Sequence, residues 1–125
     1  MATREWLEAG EDAGRQSSPS QRITEAVTSW PGVEAGPGRR GEFAFRVGRR
    51  EIGHLHGDHA AHFSFPKGLW RELIDAGRIA PHPVFPGAEG PAARRIESEA
   101  DIGAVIGLLR LNYDRLSGAS DGRHR

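Results

Sequence analysis

The chain is 125 residues long, contains no cysteine, and balances 17 basic residues against 17 acidic ones. A single domain of this size buries a core without cross-links, and the lack of cysteine excludes disulfides, thiolate nucleophiles and zinc fingers, so a metal would need His, Asp or Glu ligands. Zero net charge disfavours nucleic acid as a partner, and the absence of any apolar run of roughly 18 residues and the acidic start predict no membrane partner and a cytoplasmic location.

The first predicted element is a helix that follows residues 1–17, a polar segment expected to be a flexible N-terminal arm. Ser18 is a typical cap residue, Pro19 suits the first helical position, and Gln21 completes a capping box. Apolar side chains then recur at helical spacing until Pro31-Gly32, which ends the helix. This stripe contains Ile23, Ala26, Val27 and Trp30.

The middle of the chain predicts a loop and then an antiparallel meander. Residues 31–41 hold two prolines and four glycines, a composition typical of a loop. From Glu42 onward, apolar and polar residues alternate with the period of a strand. The three predicted strands cover residues 42–47, 51–56 and 61–65, and the turns between them are Gly48-Arg49 and Gly57-Asp58-His59.

The last third of the chain predicts two helices separated by short strands. A helix over 67–76 is closed by Gly77, which suits the left-handed residue after a helix. Short strands are expected within 79–85 and 92–96. Ser98 with Asp101 begins a final amphipathic helix that runs to about Leu116, and residues 117–125, which include His124, are expected to be a disordered tail.

We therefore predict a single α+β domain over residues 18–116. Its two layers are an antiparallel sheet of four or five strands and three helices packed mainly on one face, in the order α-β-β-β-α-β-β-α. A monomer or a weak dimer is expected.

Four of the six histidines fall within residues 54–62. His54 and His56 are two positions apart on a predicted strand, so their side chains leave the same face of the sheet. Whether His62 joins them depends on the strand register, because a slip of one residue sends every side chain to the opposite face.

We favour the register in which the loop is Asp58-His59-Ala60, so that His56 lies opposite His62. The aromatic residues then share the other face, and no histidine is buried without a partner. Ile52 is placed on the histidine side in this arrangement. A loop of two or four residues would instead point His62 away from the pair.

The histidine cluster is compatible with three kinds of site. Neutral imidazoles bind divalent zinc, iron, copper or nickel and leave a position for water or substrate, as in a metal-dependent hydrolase or oxidase. Without a metal, a histidine beside an aspartate such as Asp58 can act as a general acid or base. The plainest interpretation is a set of polar residues on an exposed sheet face, and His59, at the turn, is expected to be solvated.

The chain also resembles the small luciferase-domain family of bacteria and fungi over about residues 20–116. The resemblance is carried by EIGHLHGDHAAHFSFP, a helix ending in DAG, the PHP of residues 81–83, and an S-x-x-D helix start before LLRLNYDRL. It implies that His54 and His56 match the family's H-x-H on a strand, that His62 matches a frequent histidine before the first long helix, and that His82 matches its His-Pro. The family's aromatic residue after the helix-closing glycine is replaced by Arg78.

The resemblance implies a small binding or accessory module of uncharacterised function, and no reaction follows from it. Its ligand would be a small molecule or a protein, held by His54, His56, His62, His82 and Asp58. The enzyme alternative places a divalent metal on the four histidines. The order of elements is also similar to YjbR-type domains, which makes a nucleic-acid module using Arg49, Arg50, Arg94 and Arg95 a further alternative.

Overall fold

The computed structural model describes residues 17–122, with side chains up to residue 118. Within that range the chain forms three helices and one antiparallel sheet, which confirms the predicted α+β class. Residues 1–16 of the predicted arm and 123–125 of the predicted tail lie outside it. The elements are α1 (Pro19–Thr28), β1 (Val33–Pro37), β2 (Phe43–Val47), β3 (Arg50–His56), β4 (Ala60–Ser64), α2 (Lys67–Asp75), β5 (Ala80–Pro81), β6 (Pro91–Arg95) and α3 (Glu99–Gly122).

The predicted start of α1 and the predicted end of α2 are confirmed. The Gln21 amide donates to Ser18 Oγ over 3.1 Å, and the Ser18 amide donates to Gln21 Oε1 over 2.8 Å, which completes the capping box. Gly77 has φ +72° and closes α2. Helix α3 runs past its predicted end at Leu116 into the segment predicted to be disordered. No helix of residues 17–122 has the length and apolar character needed to cross a bilayer.

The sheet of the described residues has six strands in the order β1-β2-β3-β4-β6-β5, one or two more than predicted. The extra strand is β1, which lies in the segment predicted to be a loop, so that prediction is wrong for residues 33–37. Val33 pairs with Val47 and Pro37 with Phe43. Hydrogen bonds to β2 satisfy this backbone despite its Gly and Pro content, and the missing donor of Pro37 is tolerated on an edge strand.

The hydrophobic core lies between the sheet and the helices. Phe45, Leu55 and Phe63, from three neighbouring strands, are buried in one cluster with side chains of α1 and α3, and Leu73 of α2 joins them. Such burial of whole aromatic and aliphatic side chains is the main source of stability for a domain of this size. Further members of the cluster are Ile23, Val27, Val105, Leu108 and Leu109.

A β-bulge interrupts the pairing of β2 with β3. Phe45 pairs with Gly53 and Arg46 pairs with Glu51, so Ile52 has no partner in the ladder. Ile52 is fully buried in the core, and its predicted position on the histidine side is therefore wrong. The bulge reverses the alternation, which turns Glu51 to the face that carries His54.

The turn between β3 and β4 sets the histidine register. His54 pairs with His62 and His56 pairs with Ala60, so the loop is Gly57-Asp58-His59. The predicted pairing of His56 with His62 is wrong by two residues, because Gly57, with φ +58°, begins the turn. A shift of two residues keeps every side chain on its face, and the predicted gathering of the histidines on one side is confirmed by their ring contacts.

Candidate metal centre

Three imidazole rings meet on the face of the sheet opposite the core. The ring centroids of His54 and His56, both on β3, are 4.9 Å apart, and that of His62 on β4 lies 5.3 Å from the first and 4.2 Å from the second. Each ring offers one nitrogen within 4.8 Å of the corresponding nitrogens of the other two. Two adjacent strands therefore present three nitrogen donors to one point.

This separation is close to that required by a shared ion. Bonds of about 2.0 to 2.1 Å in tetrahedral geometry place two nitrogens roughly 3.3 Å apart. The nitrogens lie within 4.8 Å of one another, and side-chain rotation can bring them to the distance an ion requires because His56 is exposed and the other two rings are only partly buried. The strands already point the three imidazole rings towards one another, so an ion could bind through side-chain rotation without a change in the backbone.

Glu51 orients His54. Its Oε2 lies 2.7 Å from His54 Nδ1, so the neutral ring carries its proton on Nδ1. The unprotonated Nε2 is then free to bind a metal ion. A carboxylate that accepts the second N–H of a ligating histidine is a common partner in metal sites. The sequence alone does not indicate this role for Glu51, because simple strand alternation places residues 51 and 54 on opposite faces.

Glu42 is the second carboxylate that sequence reasoning did not identify. One of its oxygens lies within 4.8 Å of a Glu51 oxygen and a His54 nitrogen. Hydrogen bonds from its own backbone amide and from the Arg40 amide, with the nearby imidazoles, hold the pKa of Glu42 below its usual value. Glu42 is therefore ionised at neutral pH beside the three rings.

His62 is held in the neutral form. Burial, followed by the charges of His56, His82 and His54, lowers the pKa of His62 from 6.5 to about 4. A metal ligand needs the free lone pair that a neutral ring provides. At pH 7 His62 has that lone pair without losing a proton.

His82 adjoins the cluster but has a different hydrogen-bonding role. Its ring centroid lies 4.2 Å from that of His62, and its Nδ1 accepts a hydrogen bond from the Val84 amide over 3.1 Å. Burial and the charges of His54 and His56 lower the pKa of His82, so the ring is neutral and its proton is on Nε2. Of the four predicted histidines, three bring together nitrogens that could bind a metal ion, and His82 offers an N–H group beside them.

Asp58 is not brought to this cluster. Its Oδ1 accepts a hydrogen bond of 2.9 Å from the Ser20 amide, and this contact holds the pKa of Asp58 below its usual value. The carboxylate ties the β3–β4 turn to the start of α1. His59 is exposed at the same turn and also stands apart from the three rings.

The arginines of the nucleic-acid alternative do not form one free patch. Arg94 bonds Asp101 over 2.7 Å, and Arg95 bonds Glu97 over 3.1 Å. Arg49 and Arg50 are exposed around the β2–β3 turn. Half of the candidate phosphate contacts are thus already paired with carboxylates.

The imidazoles line an open depression of about 410 Å³. Glu42 and Glu51 lie beside the rings, three arginines of β2 and the preceding loop add positive charge, and two apolar side chains follow His82. A site of this volume is in the range of roughly 300 to 1,000 Å³ that is usual for small molecules. The lining residues are Arg39, Arg40, Glu42, Arg46, Glu51, His54, His56, His62, His82, Val84 and Phe85.

Comparison with known proteins places the chain in a family. Residues 49–112 match the sequence model of the Luciferase domain family, and this stretch runs from the start of β3 into α3 with all four histidines of the depression. No curated protein and no solved structure matches the chain. Because the match spans more than half of the 125 residues, the chain belongs to the Luciferase domain family, as its histidine pattern predicted.

Proposed function

We propose that this luciferase-domain protein is a small-ligand-binding domain that holds a divalent transition-metal ion on His54, His56 and His62. The observation that carries the proposal is the convergence of three imidazole nitrogens within 4.8 Å on two adjacent strands. Protein metal sites with three histidine ligands leave further positions on the ion for water or a ligand.

The donor set indicates the kind of ion. Imidazole nitrogen suits zinc, cobalt, nickel, copper and iron, whereas calcium and magnesium prefer oxygen ligands. The bond from His54 to Glu51 supports the proposal, because it fixes both the tautomer and the orientation of one donor. The neutral state of His62 supports it further.

A metal-dependent hydrolase or oxidase is the second candidate. It is favoured by Glu42, which is ionised and lies next to the same centre. A carboxylate in that position can accept a proton from a water molecule or a substrate hydroxyl. The resident ion would supply Lewis acidity in the hydrolase and redox chemistry in the oxidase.

Metal titration tests the proposed centre. Protein purified without a histidine tag and treated with a chelator is titrated with Zn²⁺ and with Co²⁺ in a calorimeter, and one ion should bind per chain. His54→Ala and His62→Ala should each weaken binding at least about tenfold, since a three-ligand site loses one donor. The matched control is His59→Ala, which removes an exposed histidine outside the cluster and should bind as the wild type does.

Two results would overturn the proposal. One is a wild-type protein that binds neither ion stoichiometrically. The other is equal weakening by His59→Ala and His62→Ala, which would indicate scattered surface binding. The absorption spectrum of the Co²⁺ form adds a second readout, because visible bands of a low-coordinate site should appear in the wild type and be lost in the His62 variant.

A further inference from the structure

Three arginines around the depression have no carboxylate partner among residues 17–118. Arg39, Arg40 and Arg46 line it, and within residues 17–118 none of their guanidinium groups lies within 4.0 Å of a carboxylate. Among the other arginines of residues 17–118, five form an ion pair and four do not; the paired ones are Arg22, Arg71, Arg94, Arg95 and Arg110. The arginines without ion pairs at the depression are thus available to an external anion.

Arg46 forms no ion pair with Glu51, its cross-strand neighbour. The two residues pair across β2 and β3 and share a face, yet Glu51 is engaged by His54 over 2.7 Å. The guanidinium of Arg46 is left beside the imidazoles without its expected cross-strand partner. Arginine is well suited to bind a carboxylate there because its planar fork presents two parallel N–H groups.

The same depression has an apolar wall. Val84 and Phe85 are 65% and 54% exposed, and they are two of the three large apolar side chains that stand out at the surface of the described residues. The Phe85 ring centroid lies 5.3 Å from that of His82, which itself contacts His62. Hydrogen bonds from the Phe85 amide to His82 and from the Ala88 amide to Phe85 hold this loop in a turn. An exposed aromatic ring kept next to a polar cluster suits a ligand with an apolar body.

We propose that the depression binds a small organic anion, a carboxylate attached to an aromatic or comparably flat apolar body. The carboxylate lies towards Arg40 and Arg46, and the body packs on Phe85 and Val84. The N–H of His82, which lines the same depression, adds a further hydrogen-bond donor. This ligand class deepens the proposed function, because it would occupy the open side of the metal centre, although the arginines and Phe85 recognise it without the ion.

An extended polyanion fits the site less well. The carboxylates of Glu42 and Glu51 lie among the arginines and would face successive phosphates of a nucleic acid. A single acidic group can be placed on one arginine and avoid both. The mixed charges thus favour a compact ligand with one anionic end.

Three matched probes test the ligand class. They are 3-phenylpropanoate, which has both ring and charge, propanoate, which lacks the ring, and 3-phenylpropan-1-amine, which reverses the charge. Binding is followed by chemical-shift titration of metal-free and Zn²⁺-loaded protein. The first probe should bind at least about tenfold more tightly than the other two in either form, because charge-assisted hydrogen bonds and ring burial act together.

Variants test which side chains bind the carboxylate of the ligand and which bind its apolar body. Arg46→Gln should weaken 3-phenylpropanoate about tenfold, and Arg40→Gln provides a second test of the charged end. Phe85→Ala should weaken 3-phenylpropanoate and leave propanoate unchanged. Arg49→Gln, which removes an exposed arginine of the neighbouring turn, is the matched control and should bind as the wild type does.

The outcomes separate this inference from the metal proposal. Equal binding of the three probes, or unaltered binding in both Arg40→Gln and Arg46→Gln, would overturn the organic-anion site even if Zn²⁺ still bound stoichiometrically. Selective binding of 3-phenylpropanoate by a protein that fails to bind Zn²⁺ would support the anion site. Only the metal proposal would then be refuted.

Discussion

The side-chain amide of Asn112 donates a hydrogen bond of 3.1 Å to the main-chain carbonyl of Ile52, the bulged residue of β3. The same amide donates to the carbonyl of Ser64 at the end of β4 over 3.0 Å. Helix α3 thus holds the two strands whose opposite face carries His54 and His62. These bonds add to the direct pairing of β3 with β4, in which His54 is the partner of His62.

Replacing Asn112 with alanine should destabilise the domain strongly. Asn112 is 1% exposed, and its loss leaves the Ile52 and Ser64 carbonyls without their donor. We expect a loss of about 2 kcal/mol or more in the free energy of unfolding, measured by urea denaturation. The control, Asp114→Ala, removes an exposed ion pair of the same helix and should cost less than about 1 kcal/mol. Similar costs for the two variants would contradict this role of Asn112.

Gly53→Ala should also destabilise the domain. A Cβ at residue 53 would stand 2.5 Å from Leu109 Cδ2 and 3.1 Å from Phe63 Cδ2, so core side chains must shift. Overpacking of this kind costs about 1 to 3 kcal/mol, which thermal and urea unfolding can measure. Gly36→Ala on β1 meets nothing within 4 Å and should change stability by less than about 0.5 kcal/mol. A neutral Gly53→Ala would show that the bulge does not need a glycine.

Removing the charge of Glu51 should weaken metal binding. Glu51→Gln keeps the shape of the side chain but loses the carboxylate that accepts the His54 Nδ1–H. Partners of this kind typically contribute about 10- to 100-fold in metal affinity, so calorimetry should show a loss of at least about tenfold for Zn²⁺. Glu72→Gln, on the exposed face of α2, is the matched control. The amide oxygen of glutamine can still accept from Nδ1–H, so unchanged affinity in Glu51→Gln would mean that the negative charge of Glu51 does not contribute to metal binding.

The metal-free protein should lose stability as the pH falls from 6.5 towards about 4. The pKa of His62 is about 4 in the folded protein, and unfolding returns it to its ordinary 6.5. Between these values the unfolded chain binds more protons than the folded one, so its population rises as protons are added. His82, whose pKa is also lowered, acts in the same direction.

Urea denaturation at several pH values measures this effect. His62→Gln should flatten the dependence between pH 6.5 and 4, whereas His59→Gln should retain it. Lowered pKa values are also found for Glu42, Glu89, Asp58 and Asp101. Their contributions begin to be lost at about pH 5 in wild type and variants alike, so the effect of His62→Gln is read from the slope between pH 6.5 and about 5. The same slope in wild type and His62→Gln would refute the assignment.

Features that depend on neighbouring residues could be predicted from the sequence. The capping box of Ser18 and Gln21 and the closure of α2 at Gly77 use hydrogen bonds between residues a few positions apart. The segregation of Leu55 and Phe63 from the histidines likewise follows from strand alternation. These are local preferences that the tertiary structure reinforces.

Features that depend on residues distant in the sequence could not be predicted from it. Next to the bulge, Leu109 and Phe63 occupy the space that a side chain at Gly53 would need, and local sequence does not indicate that contact. Glu51 joined the site only through the bulge. Local sequence does not predict strand β1 for the same reason, since its pairing with β2 overrides an unfavourable composition.

The strand register of the histidines shows which part of the site the local sequence predicts and which part it does not. Burial of the aromatic residues requires that His54, His56 and His62 share a face, but it does not distinguish registers that differ by two residues. The choice is made by the turn at Gly57. The cluster was therefore predictable as a group, whereas the pairing of His54 with His62 required the structure.

The outermost strands of the sheet bear on how copies of this domain behave at high concentration. Both β1 and β5 end in proline, at Pro37 and Pro81, and β5 is only two residues long. A proline cannot donate a backbone hydrogen bond. Neither edge strand of the described residues therefore presents an uninterrupted row of backbone N–H groups to a second protein chain. Accumulated protein is thereby guarded against the intermolecular strand pairing that begins fibril growth.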